Sequence, residues 1–533
     1  MTDSLAPRAT ADKAQIARAA GVVMALFVVS RALGLAREMV ISHQFGTGGD
    51  LDAYLAAFRL PDLIFQIVAG GALGSAFIPV FAGYLAADDR RGAWRLASAV
   101  MNLVFVITTA VSGLAALMAP QIVAYVIAPG FGPAQQALTA QLMRIMLITP
   151  AIFGVSGIVM AILNARQHFA LPALAPILYN LGIIAGALFL APTLGVLGLA
   201  LGVVSGAACH LLIQVPGLIH ERLRYTPVLG LHDPGVRDVG LLMLPRMLGL
   251  AAVQLNFLVN TILASTLVEG SLAALNYAWL LMLLPQGIFA QAVATAAFPT
   301  FSMQVARGQR AEMRSTLAAT LRVVLYLALP AAIGLIVLCV PLVQFLFQRG
   351  AFGTDSTRLV AWALALYALG LPAHSLLEII VRAFYALHDT RTPVAVGVAA
   401  MALNVALSLA LLPVFATLAW PPHGALALSN SLATTSEAAV LLWLVRRRLG
   451  GLEGAEMVRA VARTGLAAAA MGVAAGLALR LLAGASPWLM VGVPILAGVA
   501  VYGLLSLALG SSEPRSLWRM IRTRGRAGAA SPK

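Results

Sequence analysis

The sequence predicts an all-α polytopic membrane protein of about fourteen transmembrane helices. Three observations carry that prediction. Only 10% of the 533 residues are charged, where a soluble chain of ordinary composition carries about 25%. Apolar stretches long enough to cross a bilayer recur from one end of the chain to the other. Arginines return after every second stretch, as cytoplasmic loops require under the positive-inside rule.

The first apolar segment, 20–42, follows a polar run ending at Arg18. It is interrupted by Arg31 and has no small-residue cleavage site after it, so it reads as a helix and not as a signal peptide. The second, 51–86, would run about 53 Å as a straight helix against a hydrocarbon core of about 30 Å. It must tilt, bend or break, and Pro61, Gly70, Gly71 and Gly74 are the places for that. Arg90, Arg91 and Arg95 follow it. Segments 94–118 and 137–163 are joined by the uncharged 119–136 and end at Arg166. Segments 172–191 and 195–218 lead into a long mixed stretch, 219–238, with Arg222, Arg224 and Arg237. Segments 239–267 and 272–303 precede Arg307, Arg310 and Arg314. Segments 317–340 and 357–385 are joined by 341–358, marked only by Arg349 and Arg358, and precede Arg391. Segments 394–417 and 424–445 end at Arg446, Arg447 and Arg448. Segments 458–483 and 488–510 lead to a tail with Arg515, Arg519, Arg522, Arg524 and Arg526, which suits an anionic lipid surface. An even number of spans places both termini in the cytoplasm.

An internal repeat organises these segments. Ser-Arg31-Ala-Leu-Gly34-Leu-Ala returns as Pro-Arg246-Met-Leu-Gly249-Leu-Ala, 215 residues later. Pro61-x-x-Ile64-Phe65 returns as Pro285-x-x-Ile288-Phe289, Phe77–Phe81 as Phe298–Phe301, and Pro150 and Pro172 as Pro372 and Pro393. Six spans separate the copies, an even number, so both halves point the same way. This predicts two parallel six-helix lobes around a central cavity, plus two extra C-terminal helices. The expected boundaries are an N-lobe at 1–218, a linker at 219–238, a C-lobe at 239–446, helices thirteen and fourteen at 447–510, and a basic tail at 511–533.

The charges inside the apolar segments mark the candidate site. An ionised side chain near a bilayer centre costs about 2.5–3.5 kcal/mol and faces a bundle interior or a wet cavity. Arg31 falls about 17–20 Å along the first helix, too deep to reach the surface easily. Arg37 lies further out, where snorkelling to the outer surface is the alternative. Glu38 is seven residues from Arg31 and Arg59 seven from Asp52, so each pair shares a helix face. Ser30, Arg31, Arg37, Asp52, Arg59 and the repeat-mate Arg246 form the candidate substrate-binding set. The structural alternative is a group of ion pairs that holds the first two helices together.

Other motifs carry less. Asp88-Asp89-Arg90-Arg91 lacks the third acid of a diphosphate–metal motif and sits in a tight loop. Gly46–Gly49 is a turn with no strand before it, and His220-Glu221 lacks the second histidine of a zinc helix. Glu378 and Arg382 are spaced to pair with each other. Asn256, Asn260, Asn404 and Asn430 suit hydrogen bonds between helices, with ion ligation as the alternative. Cys209 and Cys339 lie in apolar stretches and form no disulfide framework or thiolate site. The net charge of +15 is scattered through short loops, which argues against nucleic acid as a partner. No catalytic constellation, cofactor motif or metal-spaced cluster stands out, so an enzyme is not expected.

SRALGLARE with Phe45-Gly46, DAYLAAFRLP (52–61), AILNARQHFALPALAPILYN (161–180) and RAFYALHDTRTPV (382–394) together resemble the MurJ/MviN lipid II flippases. The resemblance covers nearly the whole chain. It implies the multidrug/oligosaccharidyl-lipid/polysaccharide exporter superfamily and a V-shaped pair of lobes. It further implies export of lipid II, the undecaprenyl-pyrophosphate-linked disaccharide-pentapeptide, across a bacterial inner membrane for peptidoglycan synthesis. By position, Arg31, Arg37 and Asp52 match family residues of the central cavity, and helices thirteen and fourteen match a lipid-tail groove. The implied partners are lipid II, membrane lipids, and the membrane potential or a monovalent ion, with the protein a monomer. The chain departs from the family at Phe65, Gln66 and Gly70, and at Leu280 and Leu283, where charged or polar residues are usual. Those departures shift the expected anion recognition toward the N-terminal side.

Overall fold

The computed structural model describes residues 6–68, 71–221, 224–511 and 513. Among these residues every regular element is helical. The chain divides into two compact units. Unit 1 is residues 1–272 with Arg349–Phe352, and unit 2 is residues 273–348 with the remainder from Gly353.

Unit 1 opens with α1 (Ala6–Phe45) and α2 (Gly49–Val68). A tight turn separates them, in which Gly46 has φ +60° and packs against the Ala351 carbonyl. α3 (Gly71–Ala86) covers the rest of the long segment 51–86, and residues 69–70 between the two helices lie outside the described residues. The helix runs on through Pro61, which is buried, and through Gly74; Gly70 lies outside the described residues. α4 (Arg90–Leu117) starts at Asp89, whose Oδ1 accepts the Gly92 amide at 2.8 Å. The Asp88–Arg91 motif is thus a helix cap.

α5 (Ala119–Ile122), α6 (Pro133–Met146) and α7 (Thr149–Ala165) follow, then α8 (Ala170–Ala185), α9 (Ala191–Leu194), α10 (Val196–Leu212) and α11 (Val215–His220). α8 and α10 pack backbone to backbone along a line of glycines. A methyl group added at Gly202 would stand 2.8 Å from the Gly186 Cα. α12 (Pro234–Ser265) also belongs to unit 1 and packs on α2 and α3. The described part of the 219–238 stretch is held to α4: Asn102 Nδ2 donates to the Val228 carbonyl at 2.9 Å, and the Tyr225 hydroxyl to Asn102 Oδ1 at 2.9 Å. The unit's core gathers Phe77, Phe81, Trp94, Leu96, Ile158 and Ile162 from α3, α4 and α7.

Unit 2 holds most of α13 (Ser271–Pro285), then α14 (Gln291–Ala306), α15 (Arg310–Val337) and α16 (Cys339–Phe347). A π-helical turn, Gln286–Ala290, follows Pro285. α17 (Thr354–Ala368) and α18 (Leu371–Ala386) meet at a 46° bend. α19 (Arg391–Thr417), α20 (His423–Arg448), α21 (Gly454–Leu481) and α22 (Pro487–Ala508) complete the unit. Phe301, Leu317, Ile379, Ile380 and Phe384 form its main core. α21 and α22 pack on each other and on α15, where the Tyr502 hydroxyl donates to the Tyr326 carbonyl at 2.5 Å.

Each predicted segment falls on a helix or a consecutive pair of helices. Among the described residues, nine helices are long and apolar enough to cross a membrane, ten if the bent pair counts as one span. α2 is outside that set because Asp50, Asp52, Arg59 and Asp62 interrupt it. The repeat is also visible in the backbone. Turns at matching places in the two halves take the left-handed conformation: Gly46 and Gly270, Asp88 and Gly308, Gln167 and His388, Gly195 and Ala419. Glu378 and Arg382 pair at 2.5 Å, as their spacing predicts. The arginines of the tail lie outside the described residues.

Candidate functional site

Inside unit 1 a cavity of about 490 Å³ opens between α1, α2, α3, α7, α8 and α10. Its apolar walls include Phe58, Phe65, Phe153 and Met160. Its polar lining is Arg37, Asp62, Gln66, Asn164, Tyr179 and His210.

Arg37 is the organised cation of this cavity. Its Nε and Nη2 donate to Glu38 Oε1 at 3.1 and 2.5 Å, and its Nη1 donates to Asn180 Oδ1 at 3.1 Å. Asn180 is in turn anchored, its Nδ2 donating to the Pro176 carbonyl at 3.0 Å. These bonds fill the Nε–Nη2 edge and take one Nη1 hydrogen, which fixes the orientation of the planar guanidinium. Of the five N–H donors of an arginine, three are thereby engaged. The side chain stays 26% accessible, so the remaining donors can meet an anion in the bidentate manner that suits phosphate.

The other predicted residues are placed differently. Arg31 is exposed and Ser30 half-buried on α1, and neither lines the cavity. Glu38, expected to share a face with Arg31, pairs with Arg37 instead. Neighbours on α1 and α8 hold the Arg37 guanidinium at the cavity wall. Asp52 is 2% exposed, and its Oδ2 accepts the Gly270 amide at 2.7 Å. It ties the start of α2 to the turn before α13 and does not line the cavity inside unit 1. Beside it, the Gly49 amide donates to Glu269 Oε1 at 2.5 Å and Gln135 Nε2 donates to the Gly49 carbonyl at 2.9 Å. Arg59 Nε donates to Thr261 Oγ1 at 2.9 Å, and its guanidinium lies 5.7 Å from the Phe257 ring centroid. The side chain of Arg246 lies outside the described residues.

Several lining residues were not singled out by sequence reasoning. Asp62 is one, an acid that follows Pro61 in an apolar run; Gln254 Nε2 donates to its Oδ2 at 3.4 Å. His210 is another, set in a buried chain where Ser156 Oγ and His210 Nδ1 are 2.8 Å apart and Gln214 Nε2 donates to Ser156 Oγ at 2.7 Å. Tyr179 and Asn180 close the 161–180 motif without having been given a role. The signal for Asp62 and His210 was a polar residue within an apolar helix, and for Tyr179 and Asn180 an adjacent polar pair in one. In unit 2, Asn430 Oδ1 and His374 Nε2 are 3.2 Å apart, an interhelical contact of the expected kind.

A family model described as lipid II flippase MurJ matches residues 41–495. The chain is 31% identical over 520 residues to the probable lipid II flippase MurJ of Rhizobium tropici, covering 95% of this chain and 96% of that protein. It is 31% identical to the lipid II flippase MurJ of Burkholderia cenocepacia, covering 81% and 84%. Among solved structures, a lipid II flippase MurJ in an inward closed conformation superposes with TM-score 0.76 at 25% identity, over 91% of this chain and 97% of that one. A multidrug resistance MATE family transporter of the MOP superfamily in an inward-facing conformation matches in fold, with TM-score 0.66 at 17% identity over 81% and 98%.

Proposed function

The chain belongs to the lipid II flippase MurJ family, and from that premise we propose that it carries lipid II from the cytoplasmic to the outer leaflet of a bacterial cytoplasmic membrane. The proposed work is transport, not chemistry on the substrate, and both termini are cytoplasmic. The single observation that carries the reading at the level of residues is Arg37, held by Glu38 and Asn180 at the wall of a 490 Å³ cavity with N–H donors to spare. In this reading Arg37 binds the pyrophosphate, and Arg31, Arg59 and Arg246 add positive charge along its route, with Ser30 as a hydroxyl donor. Asp52 acts as a strut through Gly270.

The N-lobe, 1–218, and the C-lobe, 239–446, alternate access around the head-group. The prenyl tail stays in lipid along helices of the 447–510 region. An inside-negative potential favours outward movement of a head-group with about two negative charges, at roughly 2.3 kcal/mol per charge per 100 mV. The protein works as a monomer, and a monovalent ion is the alternative driving force.

The test is depletion in the native host, followed by measuring the lipid II accessible at the outer leaflet. Loss of that pool, restored by the wild-type chain and not by Arg37→Ala, is the expected result. An unchanged pool, in a host without a second flippase, overturns the assignment.

A further inference from the structure

The cavity of unit 1 contains a second ionisable group that pyrophosphate binding leaves unused. Asp62, on α2, lines it together with Arg37, Gln66 and Tyr179. Arg37 already has its counter-charge in Glu38 at 2.5 Å. Asp62 has none at that range: among the described residues no cation lies within 4.0 Å of its carboxylate. Its Oδ2 takes a long bond from Gln254 Nε2, at 3.4 Å, and the neutral Gln66 amide on the same helix also bonds the carboxylate. Arg59, one turn earlier on α2, acts on it electrostatically, but that guanidinium is turned to Thr261 and the Phe257 face. Arg37, Asp62 and Tyr179 line the same cavity, and both charged groups act electrostatically on the phenol. A carboxylate among apolar helices is costly unless a cation meets it. The aromatic walls at Phe58, Phe65 and Phe153 suit an organic cation better than a bare metal ion.

We propose that Asp62 recognises a primary ammonium group on the carried head-group, a specificity determinant beside the anion subsite at Arg37. The inference rests on the lipid II reading above. A peptide head-group that carries a side-chain amine presents it protonated at neutral pH. Arg37 and Asp62 would then engage two opposite charges of one zwitterionic cargo, and Asp62 would reject peptides in which the amine is masked.

The test compares three forms of lipid II: free amine, N-acetylated amine, and N,N-dimethylated amine, which adds bulk but keeps the charge. Each is titrated into the full-length protein in lipid nanodiscs. The free and dimethylated forms should bind about tenfold more tightly than the acetylated form, the size of one charge-assisted hydrogen bond. Asp62→Asn should remove that discrimination, whereas Arg37→Ala should weaken all three forms and keep the ratio. Equal binding of the three forms by the wild type, or a ratio that survives Asp62→Asn, overturns the proposal; the wild-type comparison needs no variant to fold. Binding of none of the three forms by the wild type overturns the lipid II reading itself, and this inference with it.

Discussion

Replacing Arg37 by alanine removes two things at once: a cavity cation and the partner of Glu38. The Glu38 side chain is only 11% accessible, so the variant leaves a carboxylate stranded among apolar helices. Breaking a buried pair from one side costs about 3–5 kcal/mol. With Arg37 itself 26% accessible, solvent screening should bring the loss to just below that range, about 2–3 kcal/mol. Asn180 softens it little, because its amide already has the Pro176 carbonyl and only its Oδ1 loses a partner. The double variant Arg37→Ala/Glu38→Ala removes both charges and should regain most of that stability. The two roles of Arg37 therefore separate experimentally. Thermal unfolding in detergent should rank wild type above the double variant and the double variant above Arg37→Ala. Complementation of a depletion strain, with outer-leaflet lipid II as the second readout, should fail for both variants. If the double variant restores the outer-leaflet pool to the wild-type level, Arg37 is only half of a structural ion pair and the cavity argument collapses.

Three further perturbations follow from the packing. Gly202→Ala places a methyl group 2.8 Å from the Gly186 Cα, a backbone atom that cannot yield, and should destabilise by about 1–3 kcal/mol, read as a lowered unfolding midpoint. Asp89→Ala deletes the cap that accepts the Gly92 amide and should cost about 1 kcal/mol, while Asp89→Asn retains most of it in the same assay. Burial pushes the Glu221 carboxyl up, but the hydrogen bonds from Arg166 at 2.6 Å and His168 at 2.7 Å outweigh it and hold the group below its ordinary value. A carboxyl depressed in the folded state stabilises above its unfolded value, about 4.3, and that contribution disappears as pH falls through the folded value. The difference in unfolding midpoint between wild type and Glu221→Gln should therefore be full at pH 7 and shrink below about pH 4.3; a difference that grows in acid would refute the arrangement.

Sequence reasoning reached the helices because bilayer length and loop arginines constrain every segment. It reached the repeat because short motifs return in the same order, Arg31 and Gly34 as Arg246 and Gly249, and matching turns such as Gln167 and His388 share a local conformation. It identified Glu378–Arg382 because four residues along one helix bring two side chains together whatever surrounds them. It placed Arg37 among the candidates and could not say what held it.

The limit lies in the rotation of each helix about its axis and in which helices meet. Arg31 and Arg37 stand on one helix six residues apart, and depth alone favoured Arg31; contact with α8 brings Arg37 to the cavity instead. Asp52 and Asp62 stand ten residues apart on α2, and only packing shows that the first bonds Gly270 while the second faces the cavity. Spans, repeat and family are local or periodic properties, which one chain carries along its length. The Asn180 anchor of Arg37 and the Gly270 partner of Asp52 are neighbours distant in sequence, and those exist only once the helices have packed.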